Sequence, residues 1–151
     1  MSPKQISKPS LKYVKWIVLP SITDSRGTLT SIESEFDIPI SIKRIFYMHH
    51  ISSPRGGHAH VDTDQIVIAS SGSFKINLSD GINSEIYELN DATRGLYIPR
   101  MIFIRIYDFS GDAVCVVLAN THYDISKSIR SWEEYMETVK NNFNYTTKTK
   151  S

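Results

Sequence analysis

Residues 55–65 read RGGHAHVDTDQ. His58 and His60 are two positions apart, which in an extended strand puts both imidazoles on one face. That spacing allows three chemistries. The rings could hold a cation, satisfy their nitrogens as polar residues of a strand, or move protons. Histidine titrates near neutral pH, so a ring can take a proton in one step and return it in another. Two imidazoles on one wall suit proton movement between adjacent carbons. The chain has five histidines. Of the other three, His49 and His50 read as exposed loop residues, and His122 has no assigned role.

The histidine stretch must be held by short strands. FKINLS (Phe74 to Ser79) alternates, with Phe74, Ile76 and Leu78 on one face. It ends at Asp80-Gly81, a turn signal, and SEIYEL (Ser84 to Leu89) reads as its returning strand. Further strands are expected at Thr28 to Ile32, Ile42 to Met48, Gln65 to Ala69, Ile102 to Tyr107 and Ala113 to Ala119. Short strands between Gly, Pro, Asp and Ser turns indicate an all-β sandwich or small barrel. One helix is expected near the end: Ser131 stands three residues before Glu134, as in a capping box. Trp132, Tyr135, Met136 and Val139 then repeat at helical spacing, and Asn141-Asn142 is the expected stop. This gives a loose segment at 1–12, one domain at 13–140 and a polar tail at 141–151.

Composition narrows the function classes. The 151 residues carry 17 basic and 16 acidic side chains, for a net charge of +1. With no basic block, no nucleic-acid partner is expected. No apolar run reaches 18 residues, so no membrane span is expected. The N-terminal stretch lacks the apolar core of a signal peptide. The single cysteine, Cys115, sits in AVCVVLA and reads as a buried small hydrophobe, consistent with a cytoplasmic protein.

The histidine pair is followed by Gln65, by Gly72, and by GLYIPR with Gly95 and Pro99. This order resembles the two motifs of the cupin superfamily. The resemblance implies a cupin double-stranded β-helix, or jelly-roll, barrel with a C-terminal helix. Metal-binding cupins supply two histidines and a glutamate from the first motif and a third histidine from the second. Here Gln65 takes the glutamate's place, and Ile104 falls on the third histidine's. Glutamine is a neutral, poor ligand and isoleucine cannot coordinate. Two histidines fall short of the three or four protein ligands usual for zinc or iron, so no metal is expected.

More specifically, residues 13–135 resemble the nucleotide-sugar 3,4-ketoisomerases, the WxcM-like family. The matching stretches are DSRGTL (Asp24 to Leu29), Ile38-Pro39, IKRIFY (Ile42 to Tyr47) and RGGHAH. QIVIASSGSFKINLSDG, GLYIP, Asp108-Phe109-Ser110, VLAN (Val117 to Asn120), Tyr123-Asp124 and Ile129-Arg130 follow. The resemblance implies an isomerase acting on a dTDP-linked 4-keto-6-deoxyglucose, moving the ketone from C4 to C3 without a cofactor. It also implies a homodimer. The alternatives are a non-catalytic nucleotide-sugar-binding cupin and a 3,5-epimerase-like activity.

By the same resemblance, His58 and His60 are the acid/base pair, and Tyr47 is a donor or proton relay. A diphosphate needs cationic donors, which arginine's planar fork supplies best. Arg26, Arg44 and Arg55 lie in family-like stretches and are the candidates. Gln65, Tyr97 and Tyr107 are candidate substrate contacts, with Trp16 and Phe103 as further aromatic surfaces. Val61, Arg100, Met101 and Ile104 depart from the family pattern around the two motifs.

Overall fold

The computed structural model describes residues 6–143. Its strands in chain order are β1 (Lys15–Val18), β2 (Ser21–Asp24), β3 (Gly27–Thr30), β4 (Arg44–Met48), β5 (Arg55–His60) and β6 (Gln65–Ser71). They continue with β7 (Phe74–Ser79), β8 (Ser84–Leu89), β9 (Arg94–Ile98), β10 (Phe103–Tyr107), β11 (Val114–Ala119) and β12 (Ser128–Ile129), before the single α-helix α1 (Trp132–Phe143). Two five-stranded antiparallel sheets result, ordered β1-β9-β6-β11-β4 and β12-β5-β10-β7-β8. β2 and β3 form a separate hairpin. The two-sheet arrangement is the jelly roll expected from the motifs.

Alternation builds the core. On β7, Phe74, Ile76 and Leu78 point inward; on β10, Ile104 and Ile106 do. They meet Val67, Leu96, Ile98 and Val117 of the facing sheet. Burying each such side chain contributes about 1.5–3 kcal/mol. Cys115 is fully buried in this layer. A second cluster, Leu19, Ile38, Ile40, Ile66, Ile68 and Leu118, lies apart from it.

α1 packs on the outside of β5. Its N-cap works as the Ser131 spacing requires: Ser131 Oγ accepts from the Glu134 backbone N–H at 3.1 Å. Tyr135 and Val139 are fully buried against Ala59, Met101, Phe103 and Ile129. The Tyr135 hydroxyl donates to the Met101 carbonyl at 2.7 Å. This apolar staple carries the helix through Asn141-Asn142 to Phe143, past the expected stop. Most of the expected polar tail lies outside the described residues. At the other end, Leu11–Tyr13 form a short 3-10 turn inside the segment expected to be loose, and the Leu11 N–H donates to Asp80.

Strands β7 and β8 have the expected bounds, and the Asp80 carboxylate closes their turn by accepting from the Ile82 and Asn83 N–H groups. No described helix is long and apolar enough to cross a membrane.

Candidate active site

The Gly56-Gly57 pair determines how the histidines are aimed. On β10, Ile104 pairs with His58 and Ile106 with Arg55, with a register shift between. Ile104 and Ile106 share the inner face, so their partners must too, although His58 and Arg55 are three apart. One extra residue resolves the count, and Gly57 is that residue. It has φ +78°, a left-handed conformation that suits glycine. Gly56 meets a second constraint: a Cβ there would stand 2.7 Å from the Ile104 carbonyl oxygen. The bulge thus brings Arg55 and His58 to the same inner wall.

From His58 the strand alternates normally. Ala59 points outward, fully buried under α1, while His58 and His60 face inward. Their ring centroids are 4.8 Å apart with planes at 78°. They line a 350 Å³ cavity with Arg44 and Phe46 of β4, Tyr123, Ser128 of β12, and Arg130. The cavity occupies the gap between β4, the edge of one sheet, and β5 and β12 of the other.

The surroundings keep both rings neutral. Burial, then the His58 ring, then the Arg44 charge push His60 down to about 4. Burial also lowers His58, against an opposing backbone hydrogen bond at Gly56, with Arg130 and Arg55 adding to the depression. Ser128 Oγ stands 3.5 Å from His60 Nδ1, a long contact. Arg44 lies over the Phe46 and Tyr123 rings, at 5.2 and 5.4 Å to their centroids. Its Nε is buried without a hydrogen-bond partner among the described residues. A buried guanidinium donor left unused is costly unless a ligand takes it.

A smaller chamber of 120 Å³ shares Phe46 and His58 with this cavity and runs into the barrel interior. Gln65, at 4% exposure, borders it, and so does the more exposed Arg55. Ile104, at the position compared with a cupin metal ligand, is part of its wall. Among the described residues no three His, Cys, Asp or Glu side chains gather where they could hold a metal ion.

Four residues singled out from the sequence lie elsewhere. Tyr47 alternates to the outer face of β4, 64% exposed, and stacks on His49 at 5.6 Å. Phe46, its neighbour, takes the cavity side. Arg26 is exposed on the β2–β3 hairpin, paired with Asp24 at 2.6 Å. Tyr97 packs in the second apolar cluster under Lys15. Tyr107 lies on the outer face of β10, in a 660 Å³ groove with Phe103, Arg105 and Trp132. That groove is larger than the histidine cavity but is lined by no histidine. His49 and His50 are exposed, with their Nδ1 atoms 2.8 Å apart.

Phe46, Tyr123, Ser128 and Arg130 line the cavity without having been singled out as site residues. For Phe46 the signal was available: Arg44, Phe46 and Met48 share one face of a strand. Tyr123 and Arg130 stood in family-like stretches without an assigned role, and Ser128 and Arg130 return to the site only through β12's pairing with β5. Arg100, a departure from the family pattern, is structural. It clamps the Asp64 carboxylate through Nε and Nη2 while Asn120 holds the other side.

Comparison with known proteins agrees with this geometry. The chain is 35% identical over 127 residues to a TDP-4-oxo-6-deoxy-alpha-D-glucose-3,4-oxoisomerase of Aneurinibacillus thermoaerophilus, covering 83% of this chain and 91% of that one. A mutant of QdtA, a 3,4-ketoisomerase of Thermoanaerobacterium thermosaccharolyticum, solved in complex with TDP-4-keto-6-deoxyglucose, is 36% identical. It matches with TM-score 0.85, covering 90% of this chain and 100% of that one. WlaRB, a TDP-quinovose 3,4-ketoisomerase of Campylobacter jejuni, is 38% identical with TM-score 0.79, covering 83% and 98%. The family model described as "FdtA: WxcM-like, C-terminal" matches residues 12–140. A jelly roll with a histidine pair in its inter-sheet cavity, matched along nearly its whole domain, belongs to the WxcM-like family of nucleotide-sugar 3,4-ketoisomerases.

Proposed function

We propose that this protein moves the keto group of a TDP-linked 4-keto-6-deoxyglucose from C4 to C3, with His58 and His60 as its acid/base groups. One observation carries the reading: two neutral imidazoles face one cavity beside an arginine whose buried Nε lacks a partner among the described residues. The substrate class is that of the relatives described above.

The step balances without an external oxidant or reductant. A neutral imidazole removes the C3 proton, and the electron pair forms the C3–C4 double bond while negative charge moves to O4. The O3 proton leaves and O4 gains one, so the enediol is re-polarised. Protonation at C4 then leaves the ketone at C3. C3 and C4 are directly bonded, so rings this close serve both carbons. The oxyanion gains more from a fixed cation than the starting ketone does, which lowers the barrier. Arg44 and Arg130 are the cations lining the histidine cavity, and they serve the diphosphate or the oxyanion. Gln65 offers an amide to a sugar oxygen, and Arg55 stands beside it. Arg26, Tyr47, Tyr97 and Tyr107 have no place in this reading within one chain.

The protein acts as a homodimer. Val18, Ile22, Leu29, Ile45 and Tyr47, all on β1 to β4, are more than half exposed. A second copy covering them removes that apolar surface from water. Sedimentation gives the test: a monomer at micromolar concentration contradicts it.

Incubation with TDP-4-keto-6-deoxyglucose, followed by carbon NMR, tests the reaction. A carbonyl at C3 is expected. Binding without any new species identifies a passive sugar-nucleotide module instead.

A further inference from the structure

We propose that His49 and His50, just past the end of β4, form a chelating surface site for a borderline divalent cation, Cu2+ foremost. The site lies outside the histidine cavity and does not depend on the reaction proposed above. Both side chains are exposed, and their Nδ1 atoms stand 2.8 Å apart. Adjacent residues of a strand point to opposite faces, so neighbouring rings do not ordinarily meet. Here His50 has φ +53°, in the left-handed region, which breaks that alternation and brings its ring onto His49. Histidine is among the few non-glycine residues enriched in that region. The Tyr47 ring of β4 stacks on His49, with 5.6 Å between centroids.

The separation matches the bite of a metal chelate. Imidazole nitrogens bind such ions at about 2.0–2.1 Å. Two of them meeting the ion at a right angle stand about 2.9 Å apart, whereas a tetrahedral pair opens to about 3.4 Å. The observed 2.8 Å lies at the right-angle value. The ring planes cross at 69°, so the rings do not stack face to face. In the metal-free chain a proton on one Nδ1 makes the contact a hydrogen bond. A cation needs both Nδ1 lone pairs, so that proton moves to Nε2 of its own ring, and a neutral pair releases no net proton. Protonating either ring blocks the site, so affinity falls with acid.

The donor set selects the ion. Imidazole suits copper, nickel and zinc, while magnesium and calcium take oxygen ligands. Two nitrogens fall short of a closed zinc site, and no third His, Cys, Asp or Glu joins them among the described residues. A tetragonal ion with two adjacent nitrogens and water in its other positions fits instead. That geometry belongs to Cu2+ and Ni2+, and Cu2+ binds the more tightly of the two. His58 and His60 are the internal contrast. Their centroids are similarly spaced, at 4.8 Å, but that pair is largely buried with Arg44 and Arg130, whose charges oppose a further cation.

Calorimetric titration of the full-length chain with Cu2+ and with Ni2+ at pH 7, beside electron paramagnetic resonance of the copper-loaded protein, tests this. The wild type is expected to take one Cu2+ per chain, with an axial, nitrogen-coordinated spectrum, and to bind Ni2+ more weakly. His49→Ala or His50→Ala is expected to weaken Cu2+ binding by about tenfold or more, the loss that removing even an outer-shell partner causes. The double variant His58→Asn/His60→Asn is expected to keep it. Both alanine variants change exposed side chains, so they are expected to melt with the wild type. Should either fail to fold, copper-induced broadening of the histidine ring protons in the wild type decides, with His49 and His50 expected to broaden first. No Cu2+ bound at micromolar concentration, undiminished affinity in folded His49→Ala and His50→Ala, loss only in the His58 and His60 variant, one ion per two chains, or broadening centred on other histidines overturns the proposal.

Discussion

The imidazoles of His58 and His60 stand 4.8 Å apart on one face of β5, and neither forms an ion pair with a carboxylate among the described residues. Arginines act on both rings and the His58 ring acts on His60; only Asp62 opposes these charges, at His60, more weakly than burial, the His58 ring and Arg44. A histidine base is normally raised by an acidic partner; here burial and positive charge hold both rings unprotonated. Proton abstraction is therefore open to either ring over the whole neutral range.

This makes the pH profile a direct readout. The base must be neutral, and both rings are held below the usual 6.5, His60 at about 4. The acid limb of kcat/KM is expected below pH 6.5, with activity retained at pH 6.5, where an ordinary histidine base would be half lost. Arg44→Gln removes one of the depressing charges and is expected to move that limb upward. Stability follows the same sign. The unfolded ring takes a proton near pH 6.5 and the folded ring does not, so the native state loses ground as pH falls from 6.5 toward 4. For His60 the loss is on the order of 3 kcal/mol by pH 4. Urea titrations across that window should show a shallower decline in His60→Asn.

The arginines separate by position. Arg44 and Arg130 line the histidine cavity, whereas Arg26 is spent on Asp24 at an exposed hairpin. Charge-assisted hydrogen bonds are worth about 1.5–3 kcal/mol. Arg44→Gln or Arg130→Gln should therefore weaken TDP binding by about tenfold or more, while Arg26→Ala leaves it unchanged in the monomeric site. A large loss in Arg26→Ala would bring the hairpin to a cavity, and the dimer would have to supply it.

Gly57 is the hinge of the histidine wall. A side chain at φ +78° costs about 1–2 kcal/mol even in open space. Relaxing that strain would undo the bulge and turn His58 relative to Arg55. Gly57→Ala is expected to lower kcat more than the melting temperature would suggest, as steady-state kinetics beside thermal unfolding will show.

Phe46 and Tyr47 provide an internal control. Phe46→Ala opens the cavity and removes the ring beneath Arg44, so kcat/KM should fall by about tenfold or more. Tyr47→Phe deletes only an outward hydroxyl and should leave kcat/KM within about twofold. A selective loss in Tyr47→Phe contradicts the geometry derived for a single chain.

Much of this was legible in the sequence, for physical reasons. Period-two alternation marked β7, because one face is core and the other solvent, and the Asp80-Gly81 turn marked β8 as its returning strand. The HAH spacing put both rings on one wall, because strand geometry leaves no other choice. Which face of β4 carries Tyr47 was not legible, because IFYM is apolar on both faces and alternation alone does not say which one is inside. The placement of Tyr97 and Tyr107 outside the histidine cavity was illegible for a like reason: an aromatic suits an outer cluster as well as a binding cavity. Arg130 and Ser128 became site residues only through a two-residue strand whose pairing no local pattern announces.

Proton NMR of the reaction in deuterium oxide tests the central claim most directly, using wild type, His58→Asn, His60→Asn and the double variant. The account expects the wild type to lose the C3 proton signal and to build a C3 ketone with deuterium entering at C4. It expects the double variant to lose turnover by about a hundredfold or more while still binding TDP. Exchange at C3 and C5 with the ketone still at C4, or undiminished turnover without either imidazole, would contradict it.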